Sequence, residues 1–289
     1  MPPCQCGDSS NREVESEATP LLVLGGKSGH ASVSAEKGPT SLGESSSPSS
    51  TIPTTAALAL TMLVQSFLLV GPFTYSRFLA MHLVPSLKEE NAGRCAGLIA
   101  SSFMVGRTLT SFYWGKAADR YGRTFTIKVS LLLSAVFSVL FGLAPTLPLA
   151  LAARFSLGLS NGIIGSIKTI ITEMSRGDES KETRTMAIVM GMWGYGFLIN
   201  PALSGYLAAP LRQYPDSNLV ELLDSFLNLT ANPFLLPNLA GCLFCLSAYF
   251  CVSAFVDETL PGDKIEPFEL GNFVPSFCQR AAIVRTVSS

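Results

Sequence analysis

From residue 56 onward the chain alternates long apolar stretches with short polar ones. The apolar stretches cover about 56–80, 95–114, 127–147, 149–171, 186–208 and 234–256. Each is long enough for the ~20 residues that cross a ~30 Å hydrocarbon core as a helix. In lipid a backbone must satisfy its own hydrogen bonds, so the stretches are predicted as helices rather than strands. Buried helices of a water-soluble protein would carry charged outer faces. Leu131-Leu132-Leu133-Ser134-Ala135-Val136-Phe137 carries none. The pattern predicts an all-α membrane protein, a six-transmembrane-helix bundle spanning residues 53–257.

The flanks differ in kind. Residues 1–52 hold no aromatic residue and end in Ser45-Ser46-Ser47-Pro48-Ser49-Ser50. Such a segment buries too little apolar surface to offset its ordering entropy, and it reads as a disordered cytoplasmic tail. It lacks the basic start and apolar core of a signal peptide. Residues 258–289, with Asp263, Lys264, Glu266 and Glu269, read as a cytoplasmic tail or the start of a central loop.

The connections alternate in charge. Lys116, Arg120, Arg123 and Lys128 follow the second span, and Arg176, Lys181 and Arg184 follow the fourth. The opposite side offers Lys88, Arg94 and Arg212. Seven against three places both tails and the even-numbered exits in the cytoplasm. Between the fifth and sixth spans, Leu219, Val220, Leu222, Leu223, Phe226 and Leu227 recur at helical spacing among Glu221, Asp224 and Asn228. That predicts a short amphipathic helix at the outer interface. Asn228-Leu229-Thr230 is a glycosylation sequon there, too close to the sixth span to favour modification.

Composition agrees with the pattern. The 289 residues carry 20 Lys+Arg and 21 Asp+Glu, a net charge of -1. The charged share is 14%, against roughly 25% in soluble domains. Mean hydropathy is +0.38. Near-neutral balance argues against nucleic acid as a partner. The seven cysteines have no framework spacing. Cys242 and Cys245 lie in an apolar run and read as small hydrophobes, and Cys4 and Cys6 as free thiols in the tail. With only His30 and His82, no histidine-based metal site can be assembled. No His/Cys/Asp cluster or Ser/Asp pair shares a depth, so an enzyme is not expected, nor is a cofactor.

Charges within spans are functional candidates by default. Arg107 lies in the middle of the second span and Arg154 well inside the fourth, with Lys168 lower in the same span and Arg77 near the outer end of the first. Arg77 and Lys168 can equally snorkel to the interface. No Asp or Glu sits deep in a span; Asp119 and Glu173 lie at the edges. The first span offers Gln65 and the fourth Asn161 as polar pathway candidates.

The most informative stretch is Gly115-Lys116-Ala117-Ala118-Asp119-Arg120-Tyr121-Gly122-Arg123, which reads G-x-x-x-D-R-x-G-R. Gly115 would allow close helix contact and Gly122 a tight turn. Asp119 can pair with a guanidinium, while Arg120 and Arg123 would face the cytoplasm. This loop resembles the signature of the major facilitator superfamily, in which it helps latch two halves during alternating access. Thr124 stands where that pattern often has a further basic residue. Arg154-Phe155-Ser156-Leu157-Gly158-Leu159-Ser160-Asn161-Gly162 is similar to the family's helix-four pattern, whose Arg is linked to ion coupling in drug:proton antiporters. Gly191 through Gly205 resembles the helix-five antiporter pattern, with Gly196, Asn200, Pro201 and Gly205 as its key positions and Asn200 replacing the glycine before Pro201.

The wording is closer still to that of the zinc-induced facilitator-like branch, which it resembles. Ser102 to Ser111 before Trp114-Gly115, Trp193-Gly194 with Pro201-Ala202-Leu203, Leu236-Pro237-Asn238 and Glu258-Thr259-Leu260-Pro261 carry that likeness. The chain departs from the branch in its C-x-C tail pair and in having no His-rich loop. The resemblance implies the N-terminal half of the two-half fold, and proton-coupled antiport of a small solute by a secondary active transporter present in six-span form. A second half or a homodimer would complete it. The alternative is a truncated or regulatory membrane protein that associates with full-length transporters. In the tail, Glu17-Ala18-Thr19-Pro20-Leu21-Leu22 matches the acidic dileucine sorting form, with Glu17, Leu21 and Leu22 as its contacts. It favours a vacuolar or lysosomal membrane over the plasma membrane.

Overall fold

The computed structural model describes residues 48–86, 89–214 and 218–260. Among the described residues the chain is helical throughout: α1 (Pro48–Leu83), α2 (Glu89–Tyr121), α3 (Arg123–Gly142), α4 (Leu147–Leu159), α5 (Ile163–Met174), α6 (Glu179–Leu207), α7 (Pro210–Gln213), α8 (Asn218–Leu227) and α9 (Leu235–Phe255). The amphipathic segment predicted at the outer interface is α8. The sequon threonine beside it is occupied: Asp224 accepts from the Thr230 N–H at 2.8 Å and from its hydroxyl at 2.9 Å.

Five helical segments are long and apolar enough to cross a membrane: Ile52–Leu83, Arg123–Gly142, Leu147–Met174, Glu179–Leu207 and Leu235–Phe255. Six were expected. The second, α2, has the length, 33 residues, but its apolar run is interrupted by Ser, Thr, Gly and Arg107. Its hydroxyls fold back onto the helix: Ser102 donates to the Ile99 carbonyl at 2.8 Å and Thr108 to that of Met104 at 2.9 Å. Those bonds hide the polarity that lowers its hydropathy.

The fourth span also differs from expectation. It is two helices, α4 and α5, separated at residues 160–162.

α1 is the enclosed element. It packs most extensively on α6 and also meets α9 and α2, while α3 packs on α9 and α2 on α4. Leu58, Met62 and Leu68 of α1 share one core with Ile127 and Leu131 of α3, Ile163 and Ile167 of α5, Val189 of α6 and Cys245 and Val252 of α9. Further along, Tyr75, Leu79, Ile99, Phe141 and Phe234 form a second cluster. The outward faces stay apolar: Val136, Leu140, Leu198, Phe250 and Phe112 are all exposed. In water such a surface would drive association; in a bilayer it is the lipid contact.

α2 and α4 touch backbone to backbone at Gly106 and Gly158. A Cβ on Gly158 would land on the Phe103 carbonyl, and one on Gly106 on the Phe155 carbonyl. Small residues at such a crossing let membrane helices approach without a solvent-driven force.

Candidate functional site

The signature loop is a corner between α2 and α3. Gly122 sits there at φ 104°, a conformation that L side chains resist. The corner is closed from a distance in sequence. Glu258, just past α9, accepts hydrogen bonds from the backbone N–H groups of Arg123 at 2.9 Å, Thr124 at 3.0 Å and Phe125 at 3.4 Å. The Thr124 hydroxyl donates to the Asp257 carbonyl at 3.1 Å. A carboxylate thus covers the first turn of α3, where unpaired N–H groups and the helix dipole favour negative charge.

Arg123, expected to face the cytoplasm, is tucked under the corner. Its side chain is only 11% exposed and reaches Glu173 at 2.9 Å, with Asp119 more distant at 3.6 Å. Arg176 approaches Glu173 from outside at 3.9 Å. Burial explains the turn inward, since a guanidinium held under a helix corner needs a carboxylate. Arg123 Nε and Nη1 and Glu173 Oε2 have no partner among the described residues. Gly115 also departs from expectation: nothing lies within 4 Å of the position its Cβ would take.

Arg154 is held in the bundle interior, 2% exposed. Its Nη1 donates to the Leu68 carbonyl at 2.6 Å and its Nη2 to that of Leu69 at 2.9 Å. The reason is Pro72, which lies inside α1. A proline has no N–H, so the carbonyl four residues before it, that of Leu68, loses its helical partner. Arg154 supplies the replacement. Phe103 and Phe141 lie against the guanidinium, with ring centres 4.8 and 5.6 Å away, as cation–π contact favours. Beside it, the Tyr75 hydroxyl donates to Asn238 Oδ1 at 3.2 Å, and Ser138 donates to the Asn238 carbonyl at 3.0 Å.

The helix-five residues serve α1. Asn200 Nδ2 donates to Ser66 Oγ at 2.6 Å and to the Leu63 carbonyl at 3.3 Å, and Ser204 donates to the Gly71 carbonyl at 3.0 Å. A Cβ on Gly196 would fall on Ser66 Oγ. With Gly196, Asn200 and Ser204 spaced four apart, one face of α6 is fitted to α1. Gly205 stands aside, with nothing near its Cβ position, and α6 runs on as one helix past Pro201.

The break between α4 and α5 is built by its neighbours. The Leu159 carbonyl accepts from Trp114 Nε1 at 2.7 Å and from the Thr110 hydroxyl at 2.9 Å. The Gly162 N–H donates to Ser130 Oγ at 3.2 Å, and a Cβ there would strike the Trp114 indole. Asn161 Nδ2 donates to Gln65 Oε1 across the gap. A cavity of about 270 Å³ opens here, and Arg107, Ser111, Trp114, Asp119, Asn161 and Ser166 are among its walls.

The structure therefore brings Arg107, Asn161, Gly115 and Asp119 to one cavity, with Gln65 joined through Asn161. It leaves Arg154 apart, places Lys168 exposed on α5 outside that cavity, and commits Gly196 and Asn200 to packing. Glu17, Leu21 and Leu22 lie outside the described residues. Glu258, Tyr75 and Asn238 were not singled out as site residues, although Glu258 and Asn238 stand in stretches that carry the branch likeness.

Residues 66–215 match the Major Facilitator Superfamily profile. The chain belongs to this superfamily. It is 37% identical over 199 residues to Protein ZINC INDUCED FACILITATOR-LIKE 1 of Arabidopsis thaliana, a match covering 68% of this chain and 39% of that protein. It is 31% identical over 229 residues to the Major facilitator superfamily multidrug transporter mfsB of Aspergillus fumigatus, covering 76% of this chain and 36% of that one. The chain thus spans less than half the length of these relatives. Its fold is similar to the crystal structure of a bacterial homolog of the human lysosomal transporter Spinster, inward-facing and unoccupied, at a TM-score of 0.58 and 17% identity over 78% of this chain and 46% of that one. The superfamily fold and the apolar helices make this a multi-pass membrane protein.

Proposed function

We propose that the chain forms the N-terminal six-helix half of a secondary active transporter of small solutes, working by alternating access and proton antiport. The observation that carries this reading is the Arg123 cluster. A buried guanidinium is tied to Glu173 with two donors left open, at a corner where a second half would close on it. Such a latch can break and re-form between two states, as alternating access requires. The antiport reading rests on the helix-four and helix-five patterns around Arg154 and Asn200. The excess of Lys and Arg on the loops after α2 and α5 supports a cytoplasmic location for this corner and both tails.

Reconstitution into liposomes with an imposed pH gradient tests the function. Addition of transported solute is expected to collapse the gradient when the unaltered chain is paired with a C-terminal half or with a second copy, and at least tenfold more slowly with Arg123→Gln. A folded protein that moves neither protons nor solute, both alone and when reconstituted together with a C-terminal half of the superfamily, would overturn the proposal in favour of a regulator that pairs with full-length transporters. The acidic dileucine of the tail supports delivery to a vacuolar or lysosomal membrane. Replacing Leu21 and Leu22 by Ala should shift a fluorescently tagged protein to the plasma membrane, and an unchanged distribution argues against the signal.

A further inference from the structure

The cavity at the α4–α5 break carries chemistry that the packing does not use. α5 is a 12-residue helix whose first turn has no side-chain cap. Ile164, Gly165 and Ser166 of that turn line the cavity, beside Asn161 and Gly162. Helix N-termini gather unpaired N–H groups and a partial positive charge of about half a unit, a setting that favours anions.

Three further observations point to a ligand. Arg107 lines the same cavity from α2, and among the described residues no carboxylate or carbonyl engages its guanidinium. An intramembrane cation with no partner of its own is costly unless something else supplies one. Asn161, 4% exposed, also lines the cavity and has an unpartnered Oδ1, and its companion Gln65, 3% exposed, has an unpartnered Nε2. Two amides can share their single bond in either sense. Turning both exchanges the Nδ2-to-Oε1 bond for an Nε2-to-Oδ1 bond and leaves the Asn161 NH₂ free to donate. Asp119, at the rim, is 73% exposed and already faces Arg123. Its charge opposes entry of a second negative group.

We propose that this cavity binds the carboxylate of a small organic monoacid. Arg107 presents its planar fork to the carboxylate, a geometry suited to bidentate pairing. The first turn of α5 and Asn161 supply neutral donors, and Trp114 offers an aromatic wall to the body of the acid. A volume of about 270 Å³ suits a solute smaller than a typical drug-sized ligand. That such an acid is the cargo rests on the transport reading above; the binding site does not.

The chain holds two tryptophans, Trp114 and Trp193, so Trp193→Phe leaves Trp114 as its own reporter. In detergent at neutral pH, 3-phenylpropionate should change Trp114 fluorescence saturably, at a concentration at least tenfold lower than its neutral analogue 3-phenylpropionamide. Arg107→Gln should abolish that preference and Arg107→Lys should keep part of it. Asn161→Asp, which adds a negative charge to the wall, should weaken the acid and spare the amide. Thermal unfolding of each variant verifies that it is folded. Equal responses to acid and amide, or a preference that survives both Arg107→Gln and Asn161→Asp, would overturn the proposal. Carboxylate preference without flux in liposomes, even beside a C-terminal half, would leave the site standing and sink the transport reading. Flux without carboxylate preference would do the reverse.

Discussion

Replacing Arg154 with Leu is expected to destabilise the bundle by about 1–3 kcal/mol, the cost of leaving a buried acceptor without its partner. The mechanism is specific. The Leu68 carbonyl has no helical partner because Pro72 lacks an N–H, and Arg154 meets it at 2.6 Å. In the variant that carbonyl is left unpaired in the apolar interior of the bundle, where an unmade hydrogen bond costs its full desolvation penalty. Pro72→Ala in the same background restores an N–H four residues beyond Leu68. It should recover about 1 kcal/mol or more of the loss, a coupling that two independent sites would not show. Thermal unfolding of the four proteins in detergent measures the cycle. Strict additivity of the two substitutions would mean that Arg154 is held by something other than the proline-freed carbonyl.

The second large effect is expected at Glu258. Its carboxylate receives three backbone N–H groups from the first turn of α3. Hydrogen bonds to a charged group contribute about 1.5–3 kcal/mol each before coupling among them. Glu258→Ala should therefore cost about 2–3 kcal/mol, allowing for water to solvate part of the opened turn. Glu258→Gln keeps an acceptor oxygen but loses the charge that complements the helix dipole, so it should fall about midway. Hydrogen exchange localises the effect: the amides of Arg123, Thr124 and Phe125 should exchange faster in the Ala variant while those of α6 stay unchanged. Uniform acceleration across the bundle would point instead to global loosening.

Apolar periodicity was a sound guide to where helices lie and a poor guide to what joins them. The stretches around α1, α3, α6 and α9 were legible because a lipid-facing helix has to be apolar along its length. α2 was legible by length, yet its Ser and Thr positions lower its hydropathy while their hydroxyls are satisfied by the helix itself. The break at residues 160–162 depends on partners from other helices, Trp114, Thr110 and Ser130, so the apolar run across it read as one span. Arg123 was read only as facing the cytoplasm. Its inward turn follows from Glu173, which lies 50 positions further along the chain. Glu258 was quoted only as part of a likeness; its role depends on a loop end meeting a helix start, which no sequence period records. Arg107 and Asn161 were both singled out, but only the fold puts them on one cavity.

The pairing of Pro72 with Arg154 also sets an order of events during biogenesis. α1 reaches the bilayer before α4, carrying a carbonyl with no partner, and the arginine that answers it arrives three helices later. Alone, a central arginine raises the cost of inserting its span by about 2.5–3.5 kcal/mol. Each element is therefore a poor guest of lipid by itself, and they become good guests together. α1 has to be kept within reach while α2 and α3 are made, so this bundle matures as one cohort rather than span by span.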